Sequence, residues 1–197
     1  MVPEQISGQI QIHPTHVPQD ERDQRFMDFL SKEIQRYTPS DTFLQDFSFG
    51  FSGTKFTMEV RPKLPEIQLL RSLVFWVLGE EFKAPETVAS DFILAFEEAL
   101  SNVVRHSYGP EETDHWAKVY LAREGDTVHM QISDRGEAGR TSHLSDVLET
   151  ISKTGRPPIK RRGGLGLYLM RRIMTDISYT PGDENCLRMY KELETNS

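Results

Sequence analysis

Two neighbouring segments, residues 116–123 and 127–133, most constrain what this chain can fold into. Both have the character of β-strands, and Glu124-Gly125-Asp126 between them has the composition of a hairpin turn. A hairpin makes its two strands antiparallel. Helical patterns occur before and after this hairpin. The sequence therefore predicts an α/β (α+β) fold, a two-layer sandwich of a mixed, largely antiparallel sheet with helices on one face.

The remaining elements are predicted from the spacing of apolar residues. Phe56, Met58 and Val60 alternate with polar residues, which is typical of a half-buried strand. Apolar positions from Leu69 to Leu78 follow a helical period that Gly79 is expected to stop. Further helices are predicted over 20–37, 85–107, 145–151 and 164–174, and further strands over 176–180 and 185–192.

The N-terminal part of the chain differs from the rest in its pattern of predicted elements. Residues 1–18 are predicted to be a loose arm, residues 20–37 an amphipathic helix, and residues 40–53 a connector with aromatic anchors. We expect residues 1–52 to form an extension and residues 53–197 to form the main domain. The helix is expected to pack on that domain or on a second copy, and to serve in dimerisation or in docking a partner, because Phe26, Phe29 and Leu30 cluster on it.

Composition excludes several classes of protein. The net charge of −7 argues against a dedicated nucleic-acid binder. The single cysteine, Cys186, excludes an intrachain disulfide and fits a reducing compartment. The longest apolar run, Leu73–Leu78, is far below the roughly 20 residues needed to span a bilayer. No signal peptide is visible, so we expect a cytoplasmic protein without a membrane span.

The helix predicted over 85–107 carries a stripe of polar residues. At about 100° per residue, Glu98, Asn102, Arg105 and His106 share one face. A carboxylate and an amide oxygen are hard ligands that suit Mg²⁺. The carboxylate could instead take a proton from an attacking hydroxyl, and the guanidinium could neutralise phosphate. A solvated polar face with ordinary ion pairs is the alternative.

Two glycine-containing motifs follow this helix. Asp134 ends the second hairpin strand and is followed by Gly136 and Gly139, so it could accept a hydrogen bond from an exocyclic amine. A plain turn is the alternative. Gly163, Gly164 and Gly166 open the helix near residue 164, and a helix N-terminus binds phosphate readily. Here the alternative is a flexible loop before a packed helix. The spacing matches neither a Walker loop nor a dinucleotide fingerprint.

Together, in this order, the three motifs resemble those of the superfamily of DNA gyrase, the heat-shock chaperone of the same fold, histidine kinases and mismatch-repair ATPases. The sequence is most similar to the bacterial anti-sigma-factor serine/threonine kinases of partner-switching systems. This closer resemblance covers about residues 53–193, and it includes Arg71, Leu187 and Lys191. It implies the histidine-kinase-type ATP-binding fold, with ATP and Mg²⁺ as cofactors. It also implies a kinase that binds a sigma factor or similar regulator, phosphorylates a small antagonist protein and so regulates transcription.

The resemblance also assigns roles on the predicted helix. It implies that Asn102 coordinates Mg²⁺ between the phosphates. Glu98 matches the carboxylate proposed as the general base. Arg105 falls where relatives place a basic residue near the phosphates, and His106 is grouped with the nucleotide-binding residues.

The resemblance assigns the other two motifs in the same way. Asp134 matches the aspartate that binds the adenine amino group, and Gly136 matches the glycine beneath the ring. Ala138 departs from the common D-x-G-x-G pattern, so the next glycine, Gly139, falls one place later. Residues 137–162 would form the ATP lid. Gly163, Gly164 and Gly166 match the second glycine box, which holds the phosphates in the family. Arg162, Leu165 and Leu167 beside them are grouped with the nucleotide-binding residues.

Two other functions remain open from the sequence. A non-catalytic module could use ATP to set its affinity for a partner protein, although such a module does not need Glu98. The chain could also be the catalytic half of a split histidine kinase that acts on a separate phosphotransfer protein. The acid stability of the phosphorylated product discriminates between the two kinases, because phosphoserine survives acid and phosphohistidine does not.

Overall fold

Six strands form one sheet in this computed structural model, which describes residues 19–108, 115–137, 143–156 and 164–193. The strand order is β1-β2-β3-β4-β6-β5, and every neighbouring pair is antiparallel. The strands span β1 Ser48–Ser52, β2 Lys55–Val60, β3 Ala117–Glu124, β4 Thr127–Asp134, β5 Asp176–Thr180 and β6 Asn185–Glu192. The hairpin from which the sheet was predicted is the pair β3 and β4. Gly125 lies in its turn with a φ of 60°, a backbone conformation that glycine adopts without steric cost.

In the described part of the chain, six α-helices accompany the sheet. They span α1 Glu21–Tyr37, α2 Asp41–Asp46, α3 Ile67–Trp76, α4 Glu86–Asn102, α5 His143–Thr154 and α6 Gly164–Ile173. The helices α3 and α4 each continue into a π-helical turn, over Val77–Glu81 and Val103–Ser107. The prediction that Gly79 stops its helix is wrong. Glycine only weakens a helix, and the buried side chains of Val77 and Leu78 hold this turn on the core.

The strands bury alternate side chains, as a two-layer sandwich requires. On β3, Ala117, Val119 and Leu121 are buried, whereas Lys118 and Tyr120 between them are partly exposed. Side chains from α3, α4 and α6 complete the same hydrophobic core. The helices therefore cover one face of the sheet, and the predicted fold class is confirmed.

The N-terminal helix α1 is part of this core. Phe26 is fully buried, with its ring centroid 4.6 Å from that of Phe49 on β1 and 5.3 Å from those of Phe56 and Trp76. Leu30 is also fully buried within the one chain. The apolar face that motivated a docking role for α1 is thus covered by the protein's own sheet and α3.

The segment predicted as a connector, residues 40–53, instead forms α2 and the edge strand β1. Phe47, Phe49 and Phe51 alternate along it, and Phe49 pairs with Met58 of β2. The connector prediction is wrong because these aromatic side chains pack on the core. The domain boundary at residue 53 stays a prediction, and β1 lies on its N-terminal side while belonging to the same sheet.

Thr38 ends α1 in a left-handed conformation, with a φ of 44°, and its N–H donates to the carbonyl oxygen of Ile34. This conformation is unfavourable for a residue with a Cβ. We therefore expect Thr38→Gly to raise the free energy of unfolding by about 0.5–1 kcal/mol, after the entropy gained by the unfolded chain is subtracted. Urea denaturation followed by circular dichroism measures the change.

A glycine elsewhere in the same helix is the matched control. Ser31 lies in the interior of α1, so Ser31→Gly should lower the free energy of unfolding by about 0.5–1 kcal/mol. If both substitutions lowered the free energy of unfolding by the same amount, Thr38 would not be in a strained conformation.

Candidate functional site

The three predicted motifs meet at one end of the molecule, and two glycines make the contacts between them. A Cβ at Gly136, just after β4, would overlap the carbonyl oxygen of Ser107 at the end of the π-turn after α4. A Cβ at Gly166, in the first turn of α6, would overlap the carboxylate of Glu98 on α4. The end of β4, the C-terminal part of α4 and the start of α6 are thus in direct contact.

Asp134, the last residue of β4, is the buried carboxylate of this site. It is 4% exposed, and its Oδ1 accepts hydrogen bonds from the N–H of Gly136 and from Nδ2 of Asn185, each at 2.9 Å. Burial raises the pKa of Asp134 above its ordinary value, and hydrogen bonds from Asn185, Gly136 and the Ser107 side chain act in the opposite direction. Asp134 is therefore an oriented hydrogen-bond acceptor in a region of low polarity.

Gly136 lets the chain after β4 lie directly on the end of the π-turn. The N–H of Glu137 donates to the carbonyl oxygen of Ser107 at 2.8 Å. Because a side chain at Gly136 would meet backbone atoms rather than a flexible side chain, glycine is required here by the fold itself. Its predicted place beneath a bound ring stays a prediction.

The polar stripe on α4 is only partly continuous. Glu98 and Asn102 lie in the α-helix and are half-buried. Arg105 and His106 are exposed and lie in the π-turn, where the α-helical angle of about 100° per residue no longer applies. The spacing of an α-helix therefore applies to the first two residues, and the shared face of Arg105 and His106 stays a prediction. A π-turn is a feature often found at functional sites.

Glu98 lies where α6 begins. The first N–H groups of a helix have no partner within the helix and, with its dipole, favour a negative charge nearby. Gly166 has no Cβ, so the Glu98 carboxylate can approach this end closely. Beside Gly166, Leu165 is 64% exposed and Leu167 is buried in the core.

Part of the predicted glycine box and lid lies outside the described residues. This holds for Gly139, Arg162 and Gly163, whereas Gly164 opens α6 as predicted. Of the lid predicted over 137–162, the structure describes Glu137 and residues 143–156, and it places α5 within them. The short helix expected over 145–151 is therefore confirmed.

Two functional candidates were missed by the sequence analysis. Asn185 begins β6 directly opposite Asp134 and is fully buried. The hydroxyl of Tyr108 donates to the carbonyl oxygen of Trp116 at 2.7 Å and accepts from the N–H groups of Trp116 and Arg135, at 2.9 and 3.1 Å. It thereby connects the end of the π-turn with β3 and β4. No local motif marks these residues, since Asn185 lies 51 positions from Asp134.

Lys191 on β6 joins the N-terminal half of α4 to the C-terminus of α6. Lys191 Nζ lies 2.6 Å from Oδ2 of Asp91 on α4 and donates to the carbonyl oxygen of Ile173 at the end of α6, also at 2.6 Å. The lysine thus neutralises a carboxylate and satisfies a helix C-terminus at once. This contact helps to fix the spacing of the two helices that carry Glu98 and Gly166.

The donor set was also tested for a fit to Mg²⁺. Among the described residues, no group of three or more His, Cys, Asp or Glu side chains could hold a metal ion. Mg²⁺ bound to a nucleotide takes most of its ligands from phosphates and water, and needs only one or two protein oxygens. The half-buried Asn102, one turn from Glu98, fits that requirement.

No helix among the described residues is long and apolar enough to cross a membrane.

Comparison with known proteins gives matches over the same part of the chain. Residues 62–191, which include every predicted site residue, match the sequence model of the family described as histidine kinase-like ATPase domain. The serine-protein kinase RsbW of Staphylococcus aureus is 27% identical over 112 residues, covering 57% of this chain and 68% of that protein. The serine-protein kinase RsbW of Listeria monocytogenes is 26% identical over 148 residues, covering 73% and 93%.

A solved structure was also matched. The crystal structure of RsbU and RsbW domains from Mycobacterium tuberculosis has a TM-score of 0.47 and 15% sequence identity to this chain. The match covers 72% of this chain and 33% of that one, so this chain spans about a third of its length.

Proposed function

The chain belongs to the histidine kinase-like ATPase domain family, and on that premise we propose that it is an ATP-dependent serine/threonine protein kinase. In this proposal it binds a sigma factor or similar regulator and phosphorylates a small antagonist protein. Relatives named serine-protein kinase support the proposed reaction type. The observation that carries the proposal is the contact of Glu98 with the start of α6 at the end of the molecule that holds Asp134.

Asp134 would recognise the base. Its carboxylate is buried and already held by Gly136 and Asn185. It could therefore accept a hydrogen bond from the 6-amino group of adenine without rearranging. A preorganised acceptor of this kind loses little entropy on binding.

Asn102 and the start of α6 would hold the phosphates. Asn102 would supply an amide oxygen to Mg²⁺, which when bound neutralises charge on the phosphates. The N–H groups at the start of α6, from Gly164 to Gly166, would donate hydrogen bonds to phosphate oxygens. Arg105, exposed in the π-turn, would supply positive charge.

Glu98 would act as the general base in phosphoryl transfer. The serine oxygen of the antagonist forms a bond to the γ-phosphorus, the bond from that phosphorus to the bridging oxygen breaks, and ADP leaves. The carboxylate of Glu98 accepts the serine proton. Positioning and charge stabilisation supply most of the catalysis in such transfers, and a general base adds about 10²- to 10⁴-fold.

Transfer of labelled phosphate tests the proposed activity. The protein is incubated with Mg²⁺ and γ-labelled ATP in lysate of its own organism, with and without Glu98→Ala. One small, acid-stable labelled band that is lost with the variant supports a serine/threonine kinase. An acid-labile band would instead identify a split histidine kinase. Tight ATP binding with no transfer to any purified candidate antagonist would favour the ATP-gated binding module.

Asp134→Asn tests the proposed base recognition by itself. We expect ATP affinity to fall about 10- to 100-fold, because a hydrogen bond to a charged acceptor contributes about 1.5–3 kcal/mol. Isothermal titration with Mg-ATP measures the change. Asp126→Asn, at the exposed β3–β4 turn, removes the same charge and should leave the affinity unchanged. Equal affinities for both variants would contradict adenine recognition by Asp134.

A further inference from the structure

The side chain of Asn185 joins the segment that carries Asp134 to the connection between β5 and β6. Its Nδ2 donates to Oδ1 of Asp134 at 2.9 Å and to the carbonyl oxygen of Gly136 at 3.0 Å. Its Oδ1 accepts from the N–H of Gly182 at 3.4 Å. Because Asn185 is fully buried and directly opposite Asp134 in the strand register, it connects the carboxylate, the glycine turn and the β5–β6 connection.

Purine recognition depends on the charge of Asp134. An ionised carboxylate only accepts hydrogen bonds, so it pairs with the 6-amino group of adenine and opposes the 6-oxo group of hypoxanthine or guanine. A protonated carboxyl group can donate, and it would pair with a 6-oxo group. A site that forms a hydrogen bond with one group of a ligand binds the analogue that lacks this group with much lower affinity. Discrimination between these bases therefore requires the ionised form.

We propose that Asn185 is the positioning residue that keeps Asp134 ionised and oriented, and so sets the preference of this site for adenine over 6-oxopurines. This inference rests on the proposed function, since it assumes that the site binds ATP. Asn185 is a neutral donor that stabilises the negative charge without competing for the ligand. Its second bond, to Gly136, fixes the chain that follows the carboxylate.

Other groups around Asp134 are compatible with this role. Tyr108 is half-buried beside it, and burial raises the pKa of the tyrosine hydroxyl. Burial likewise raises the pKa of the Cys186 thiol, so both groups are neutral at physiological pH. The Arg135 guanidinium lies over the ring of Trp116, 4.0 Å from its centroid, and pairs with Glu184 at 3.2 Å. Among the hydrogen bonds that lower the pKa of Asp134 against the effect of burial, the one from Asn185 lowers it most.

The test compares ATP with inosine triphosphate, which has the same phosphates and a 6-oxo group. Asn185→Asp keeps the shape of the side chain but places a second carboxylate against Asp134, so the pair shares a proton and titrates at a higher pH. We expect the ratio of ATP to inosine triphosphate affinity to fall at least tenfold at pH 6.5. In both proteins the ratio should fall as the pH is lowered and Asp134 becomes protonated. The pH at the midpoint of this change should be at least about one unit higher in Asn185→Asp than in the unsubstituted protein.

Titration calorimetry from pH 5.5 to pH 8.5, with circular dichroism to verify folding, provides the data. Gln131→Glu is the matched control, because it adds the same charge on β4 beside Arg188, three residues from Asp134. It should change neither the ratio nor the midpoint. An unchanged ratio and midpoint in Asn185→Asp would overturn the inference. Equal weakening of both nucleotides with an unchanged midpoint would also overturn it, because it would show a merely structural role.

Asn185→Ala covers the case in which the aspartate variant does not fold. It removes the donor without adding charge, so the ratio should fall severalfold and the midpoint should rise. An unchanged ratio in this variant would overturn the inference. Failure of the underlying function gives a different result: the unsubstituted protein would bind ATP no better than inosine triphosphate, and Asp134→Asn would have no effect.

Discussion

Gly136→Ala is expected to abolish ATP binding and to lower the free energy of unfolding by about 1–3 kcal/mol. The added methyl group would overlap the carbonyl oxygen of Ser107 and lie 2.6 Å from its Cβ. These are atoms of the π-turn, so the overlap can be relieved only by moving backbone.

That movement would reach the proposed adenine site directly. The N–H of Gly136 donates to Asp134, and the carbonyl oxygen of Gly136 accepts from Asn185. A displaced backbone at Gly136 would thus misalign the carboxylate and its partner together. Packed interiors transmit such strain because they contain few voids.

Titration with Mg-ATP and urea denaturation measure the two expected effects. Gly79→Ala is the matched control, since a Cβ there would meet no atom within 4 Å and the residue lies in a helical turn. It should bind ATP normally and be unchanged or more stable by up to about 1 kcal/mol. Normal ATP affinity in Gly136→Ala would show that the close contact with Ser107 is not needed for the site.

Glu98→Gln should reduce the rate of phosphoryl transfer at least about 100-fold, since a general base contributes about 10²- to 10⁴-fold. Glutamine keeps the size of the side chain and loses only the ability to accept the serine proton. ATP affinity should stay the same or increase. The carboxylate lies at the start of α6, where the phosphates are expected, and its removal lessens repulsion between negative charges.

Single-turnover transfer to the purified antagonist, with ATP affinity measured in parallel, separates binding from chemistry. Glu97→Gln is the matched control because its carboxylate pairs with Arg71 of α3 at 3.5 Å. A partly exposed pair of this kind contributes little to stability, so this variant should transfer at the normal rate. If Glu98→Gln transferred phosphate as fast as the unsubstituted protein, Glu98 would not be the base.

The hairpin shows why much of the fold was predictable. The strand predicted over 127–133 is Thr127–Asp134 in the structure, and the helix predicted over 164–174 is Gly164–Ile173. Apolar periodicity is a local property that the chain carries into the folded state. The edge strand β1 and the residue before it also carry such a signal, the alternation of Phe47, Phe49 and Phe51. The same alternation fits a connector with aromatic anchors, which is how the sequence analysis interprets it.

The π-turn after α4 shows where prediction from the sequence stopped. No residue type in Val103–Ser107 distinguishes it from a further α-helical turn. The wider turn nevertheless brings Ser107 onto Gly136 and Tyr108 onto the ends of β3 and β4. This arrangement is stabilised by contacts with distant segments, so the local sequence could not reveal it.

By itself, the sequence determined which residue types stand on one helix, at a strand end and at a helix start, and hence Glu98, Asn102, Asp134 and Gly166 as candidates. Only the tertiary structure decided which of them meet, and it added Asn185, which lies opposite Asp134 on the neighbouring strand β6. The physical reason is the range of the interactions. Helical and strand periodicity act over a few residues, whereas the bond that orients Asp134 joins residues 51 positions apart and forms only when β6 pairs with β4.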